Sequence, residues 1–295
     1  MERQGASEHD PGRERQLRLA AFNHERLSPG LPPDLDPLGH ASAPDAGLLA
    51  DEARFLLEER LAVVARAAEA PEDATGFVAW FEALRDVGPG QGDVLFPWLA
   101  ESASRDELRW FLRQEVAGEA GFEDLLALTQ VKLPERAKLE MARNFWDEMG
   151  RGHAGGMHGP MLARLAAELD VVAPSEEIVE ESLALGNLMV ALATRREYAY
   201  HSVGALGVIE LTAPGRSSYV NDALVRLGVS PRGRQYFALH ATLDKQHSTA
   251  WNAEVLTSLV DAQPRVAQAI AEGALLRLTA GARCFARYRA ALGVG

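Results

Sequence analysis

The sequence predicts an all-α fold of seven or more packed helices. From residue 46 onward, apolar residues recur at spacings of three and four, which is the period that buries one face of a helix. No alternating run of β-branched residues is long enough to predict a sheet. Helix caps and prolines divide the pattern into segments, so the chain is expected to form a bundle of helices.

Each predicted helix is bounded by a break in this pattern. The segments with helical periodicity are 46–70, 73–87, 104–130, 135–150, 157–170, 176–212, 216–228, 232–261 and 264–292. Prolines mark the later breaks, at Pro134, Pro174, Pro214, Pro231 and Pro264. Ser104 stands before the acids of RDEL, a pattern that predicts an N-cap followed by an acidic first turn.

The first 45 residues differ in composition from the rest of the chain. They are rich in Pro, Gly, Asp and Arg and include SPGLPPDLDP, which is typical of a loose or surface-draped segment. We therefore predict an N-terminal arm over residues 1–45 and a single all-α domain over residues 46–295. A chain of 295 residues is long enough to bury a sizeable core.

Charge and composition exclude several functional classes. The formal net charge of -12 argues against a nucleic-acid surface and against an anionic membrane face. One cysteine, Cys284, allows neither a disulfide framework nor a thiolate metal site. The charged N-terminus lacks an apolar signal region, so a cytoplasmic protein is expected. The expected partner is a small-molecule substrate, and a homodimer is compatible with the sequence.

The most informative motif is His240-x3-Asp244-x2-His247. Offsets of four and seven place the three side chains on one stripe of a helix. Two imidazoles and a carboxylate are ligand types that hold a non-haem iron. A surface or core stripe that carries two histidines is the alternative, so further ligands have to be sought elsewhere in the chain.

Two acids on other predicted helices are candidates to complete the site. Glu210 ends an apolar run before Pro214. An antiparallel pairing of helices would bring its carboxylate toward the helix that carries His240. The alternative interpretation is that Glu210 lies at a helix end and faces solvent. Glu148 and His158 would lie ~15 Å apart along a straight helix. They can share a metal only if the glycine-rich stretch between them interrupts the helix, and His153 is a rival to His158.

A further acid is expected from the segment FLRQEVAGEAGFEDLLAL. Glu115 and Glu119 lie on the same stripe as Leu112 and Phe122. If this helix and the next pair about a turn near residue 133, Glu119 is closer than Glu115 to the level of Glu148. The resulting ligand set for two iron or manganese ions is Glu119, Glu148, His158, Glu210, His240, Asp244 and His247.

The motif also resembles a known family. The chain has no Glu-x-x-His, the signature of four-helix di-iron bundles. Glu148 with His158, then Glu210, then the His240 motif resemble the ligand pattern of the haem-oxygenase-like di-iron oxidases and oxygenases over roughly residues 100–260. That resemblance implies a haem-oxygenase-like bundle with an N-terminal extension, two Fe2+ ions with Mn as an alternative, and O2 as co-substrate. It implies oxidation of a small organic molecule by N-oxygenation, C–C cleavage or desaturation.

Other functions on the same helical fold stay open at this point. A metal-free enzyme of the thiaminase type would need a cysteine nucleophile, and Cys284 lies in a different helix from the acids. A haem-binding protein would need a proximal histidine near the start of the bundle. His24 comes early in the chain, but it lies within the predicted arm. A non-enzymatic helical interaction protein would bind no metal and consume no oxygen.

Overall fold

Helices form the regular structure of the described residues, which are 10–31, 35, 45–119 and 121–295 of a computed structural model; the side chains of residues 243–245 are not described. Within these ranges there is no strand, and a single isolated bridge pairs Met149 with Met157. The predicted all-α fold is therefore confirmed. None of the helices in the described ranges has both the length and the apolar character needed to cross a bilayer.

The α-helices follow one another along the whole described chain. Their bounds are α1 Pro11–Leu27, α2 Ala46–Leu61, α3 Val64–Ala67, α4 Ala74–Val87, α5 Leu95–Glu101, α6 Arg105–Gly118, α7 Phe122–Thr129, α8 Glu135–Glu148, α9 His158–Leu169, α10 Glu180–Thr194, α11 Ala199–Arg226, α12 Gln235–Ala250, α13 Thr257–Ala262 and α14 Val266–Leu292. Short 3-10 turns lie at Gly150–Gly152, Ala154–Gly156, Ser175–Glu177 and Arg196–Tyr198, and a π-helical turn lies at Trp251–Leu256.

The centre of the bundle is α11, which packs against α14, α12, α5 and α10. Two glycines let α11 and α14 approach closely. A Cβ on Gly204 would lie 1.9 Å from the carbonyl oxygen of Ile270, and a Cβ on Gly273 would lie 1.8 Å from that of His201. Because both obstacles are backbone atoms, no side-chain movement could make room for the extra carbon.

Several predicted boundaries were confirmed and others were wrong. Ser104 is the N-cap of α6, as predicted, and it forms a reciprocal capping box with Glu107. The single helix predicted over 104–130 is instead divided into α6 and α7, because Gly121 adopts a left-handed conformation with φ of 72°. The helix predicted over 176–212 is divided by the turn at Arg196–Tyr198.

The break predicted at Pro214 was also wrong, since α11 continues through it. Proline removes the hydrogen bond that its nitrogen would donate to the carbonyl of Glu210, four residues earlier. Packing of α11 against its neighbours on several sides holds the helix together in spite of this loss. Glu210 therefore lies in mid-helix, and its backbone carbonyl receives no intrahelical donor from position 214.

Part of the predicted N-terminal arm is a regular helix. Asp10 caps α1 by accepting hydrogen bonds from the backbone nitrogens of Gly12 and Arg13. On the buried side, Asn187 of α10 donates to the side chain and the carbonyl of Gln16, at 2.9 Å each. Residues 11–27 are therefore packed on the bundle rather than loose. The division of the chain at residue 45 stays a prediction.

The close contact of α11 and α14 gives a stability prediction. Gly204→Ala is expected to lower the thermal midpoint strongly, because the added Cβ overlaps a backbone carbonyl and overpacking costs ~1–3 kcal/mol or more. Gly215→Ala is the matched control in the same helix, where an added Cβ has no heavy atom within 4 Å. Its midpoint should stay the same or rise, since alanine favours helix more than glycine does. Equal effects of the two substitutions, measured by circular dichroism, would contradict this packing.

Candidate metal centre

The chain between α8 and α9 folds back so that two predicted ligands meet. Glu148 is the last residue of α8 and His158 is the first of α9. Between them Gly150 has a φ of 61°, and a Cβ there would lie 2.4 Å from the backbone of Gly156. This left-handed turn supplies the interruption that the sequence required. Nδ1 of His158 lies 2.6 Å from Oε2 of Glu148, and both side chains are buried.

His240, on α12, faces His158. The centroids of the two imidazole rings are 4.6 Å apart at an interplanar angle of 75°. Nδ1 of His240 lies 2.8 Å from the backbone carbonyl oxygen of Tyr236, which is one helical turn earlier. A hydrogen on Nδ1 donates to that carbonyl, so the lone pair of Nε2 is left for a metal ion.

Glu210 and His247 form the other side of the cluster. Asn144 donates from Nδ2 to Oε1 of Glu210 at 2.6 Å, which leaves Oε2 facing Nδ1 of His247 at 3.4 Å. Nε2 of His247 lies 3.1 Å from Oδ2 of Asp147. A hydrogen on Nε2 donates to that carboxylate, so Nδ1 is the nitrogen that can bind a metal. A carboxylate behind a ligating histidine fixes its tautomer and its orientation.

These side chains make two potential metal-binding groups that share one residue. In the first group, ligand atoms of Glu148, His158 and His240 all lie within 4.8 Å of one another. In the second, the same holds for Glu148, Glu210 and His247. Glu148, His158, Glu210 and His247 are buried, and His240 is half-buried. Since a carboxylate has two oxygens, Glu148 could place one toward each group and bridge two ions.

The remaining predicted ligands are placed as follows. Glu119, the C-cap residue of α6, belongs to neither group but lines the same cavity as Glu148 and Glu210. Glu115, the rival of Glu119, lines this cavity too. The side chain of Asp244 lies outside the described residues. His153, the rival of His158, is exposed and is in neither group.

The ionisation of the cluster reflects its burial. Burial, together with the nearby charge of Glu210, raises the pKa of Glu148 to about 9. Burial lowers the pKa of His158 and of His240 to about 4 each. For His247, burial lowers the pKa, but Glu210 and Asp147 outweigh it and raise the value to about 9. Burial also raises the pKa of Glu119, to about 8. Without a cation, Glu119, Glu148 and His247 therefore keep protons that a bound metal would displace.

The donor atoms fit a metal better than they fit one another. Nδ1 of His158 is buried without a hydrogen bond although Oε2 of Glu148 is close, because the angles do not suit one. Nδ1 of His247 is likewise buried without a hydrogen-bond partner among the described residues. Unpartnered buried polar atoms are costly. A divalent cation between carboxylate oxygens and imidazole nitrogens would satisfy them, and this hard-to-borderline donor set suits iron or manganese.

A cavity adjoins the two groups. It has a volume of about 100 Å³, and Glu119, Glu148, Glu210 and His240 line it. Most of the remaining wall is apolar, with Phe122, Leu162, Met189, Ile209 and Phe237 among its residues. Two arginines, Arg216 and Arg277, also line it. An organic molecule in this space would lie beside the ligand atoms and away from bulk water.

Sequence reasoning missed the residues that orient the candidate ligands. Asn144 could have been noticed, since it precedes Glu148 by one helical turn and shares its helix face. Asp147 gave no periodic signal, because it comes into reach of His247 only after α8 packs beside the turn that follows α12. The spacing of residues in the sequence does not reveal Arg216 and Arg277 as cavity residues. Arg277, for example, comes from α14 and reaches the cavity only through the packing of the bundle.

The comparisons with known proteins agree with this architecture. An all-helical bundle with a buried cluster of carboxylates and histidines has the construction of a metal-dependent protein. The model of the iron-containing redox enzyme family matches residues 109–282, which is more than half of the chain. The chain belongs to this family, and the predicted haem-oxygenase-like bundle is confirmed. A search of curated proteins found no match to the chain.

The shifted pKa values predict how the metal-free protein responds to pH. Between pH 6.5 and 9 the folded protein keeps protons on Glu148 and His247 that the unfolded chain has lost, so stability falls as the pH rises. His158 and His240 have the opposite effect, but only below pH 6.5. The thermal midpoint of chelator-treated protein should therefore drop from pH 6.5 to 9, and less steeply in Glu148→Gln. A midpoint that rises over this interval would contradict the assignment.

The carboxylate behind His247 can be tested by Asp147→Asn. Asparagine keeps the shape of the side chain but removes the charge that holds the Nε2 hydrogen. Affinity for a divalent metal is expected to fall ~10–100-fold, as is usual for such partners of ligating histidines. Asp86→Asn, at an exposed position on α4, is the control and should leave affinity unchanged. Titration with Co(II), followed by its visible absorption, measures both, and equal affinities would refute this role of Asp147.

Proposed function

We propose that this protein is a non-haem di-iron enzyme that uses O2 to oxidise a small organic substrate. The observation that supports this most is the sharing of Glu148 by two buried groups of metal-ligand residues. Two ions bridged by a carboxylate can deliver two electrons together, which suits reactions of dioxygen better than one ion does. Manganese is the alternative metal for the same donor set.

The proposed ligands divide between two positions. Glu148, His158 and His240 would hold one ion, and Glu148, Glu210 and His247 the other. Glu119 and Asp244 complete the proposed set. Bound iron would supply the redox chemistry with dioxygen, while the surrounding apolar wall would shield the reaction from water.

The protein's own groups have definable roles in this proposal. Asn144 holds one oxygen of Glu210, so that the other faces His247. Asp147 and the carbonyl of Tyr236 hold the hydrogens of His247 and His240 on the nitrogens that point away from the metal positions. The side chains are thereby oriented before any ion binds, which lowers the cost of assembling the site.

The proposal predicts a pattern of metal contents after anaerobic loading with Fe(II). The unaltered protein should bind two iron ions per chain and consume O2. His240→Ala and His247→Ala should each lose one of the ions, because each removes a ligand from a different group. Glu148→Ala should bind less than one ion, because the shared ligand is gone.

His153→Ala is the control for these variants, since His153 is exposed and lies in the turn between α8 and α9. It should keep both ions. Elemental analysis of desalted samples measures the metal, and an oxygen electrode measures the consumption. An unaltered protein that retains no iron would refute the proposal. So would a Glu148→Ala variant that keeps both ions.

A further inference from the structure

The cavity beside the candidate ligands contains two cations that the metal centre does not use. Arg216 comes from α11 and Arg277 from α14, and both line the wall of the cavity. Arg277 is half-buried and makes no hydrogen bond with a described residue, although Glu115 and Glu119 are within electrostatic range. A half-buried guanidinium has lost part of its hydration, and an anion that faces it compensates for that loss.

Most of the acids in the cavity wall are candidate metal ligands. Glu119, Glu148 and Glu210 would be engaged by the ions in the proposed function. Glu115 is then the remaining acid in the wall, and it lies in the field of both arginines. Two arginines therefore lie in a wall whose other acids are candidate metal ligands, although the protein as a whole has a net charge of -12.

Arg216 also connects the cavity to the outside. A larger pocket of about 630 Å³ adjoins it, and Phe96, Glu210 and Arg216 line both spaces. In the outer pocket Asp93 is paired with Arg289, and Glu82 accepts a hydrogen bond from Asn252 at 3.0 Å. The ion pair with Arg289 offsets the charge of Asp93, so this acid repels an incoming anion less than a free carboxylate would. The guanidinium of Arg216 is held over the ring of Phe285 at 5.6 Å.

We propose that Arg216 and Arg277 form a subsite for the anionic group of the substrate, which is an organic monoanion such as a carboxylate. The subsite is separate from the metal ligands, so the anion is held by the arginines and another atom of the molecule faces the ions. The outer pocket takes the part of the molecule that the inner cavity cannot hold. A guanidinium presents paired donors that match the two oxygens of a carboxylate. This inference rests on the proposed function.

Binding of hexanoate to Zn(II)-loaded protein tests the subsite without redox chemistry. Isothermal titration calorimetry is expected to show hexanoate binding at least ~10-fold more tightly than hexanamide, which has the same chain and no charge. Arg216→Gln and Arg277→Gln should each weaken hexanoate binding by ~10-fold or more. Arg143→Gln is the control, because Arg143 lies outside both spaces; it should not change the affinity.

Glu115→Gln gives a result of the opposite sign. It removes the acid that competes for the arginines, so hexanoate should bind several-fold more tightly. A variant that merely folded poorly could not bind better. Equal binding of hexanoate and hexanamide would overturn the proposal, and so would hexanoate binding that neither arginine substitution weakens, since the carboxylate would then be held elsewhere, for example by the ions.

The two proposals fail in different ways. Zinc content is measured on the same samples as hexanoate binding. Protein that binds no metal refutes the proposed function, whereas protein with two ions and no arginine-dependent hexanoate binding refutes the subsite alone.

Discussion

The burial of Glu148 is the constraint on which the rest of the site depends. A carboxylate withdrawn from water must either keep a proton or acquire a positive partner, and its raised pKa of about 9 records the first outcome. Three imidazoles and a second carboxylate surround it, and Nδ1 of His158 and Nδ1 of His247 have no hydrogen-bond partner among the described residues. A pair of divalent ions would satisfy all of these groups together.

The fold is arranged to meet this constraint from several directions. The glycine turn after α8 returns the chain so that His158 reaches Glu148. The packing of α11 against α12 brings Glu210 to His247. The close approach of α11 and α14, made possible by Gly204 and Gly273, also sets Arg277 in the cavity wall. One helix contact thus contributes both to stability and to the charge of the cavity.

Local patterns in the sequence were sufficient for the fold class and for naming several of the residues that the structure brings together. The spacing of His240 and His247 predicts a shared helix face, and the glycines after Glu148 predict the interruption that the structure contains. Helix ends that depend on packing could not be predicted from local sequence. For example, α11 continues through Pro214, and α6 ends at Gly118. Asp147 and Arg277 act across the bundle, so their roles depend on tertiary contacts that no local pattern encodes.

The central claim is that Glu148 is shared by two metal ions, and anomalous scattering from crystals loaded with Fe(II) tests it most directly. Data collected at the iron absorption edge should show two peaks in the bundle, each within bonding distance of one oxygen of Glu148. One peak should also contact His158 and His240, and the other Glu210 and His247. A single peak, or two peaks that do not contact Glu148, would contradict the account.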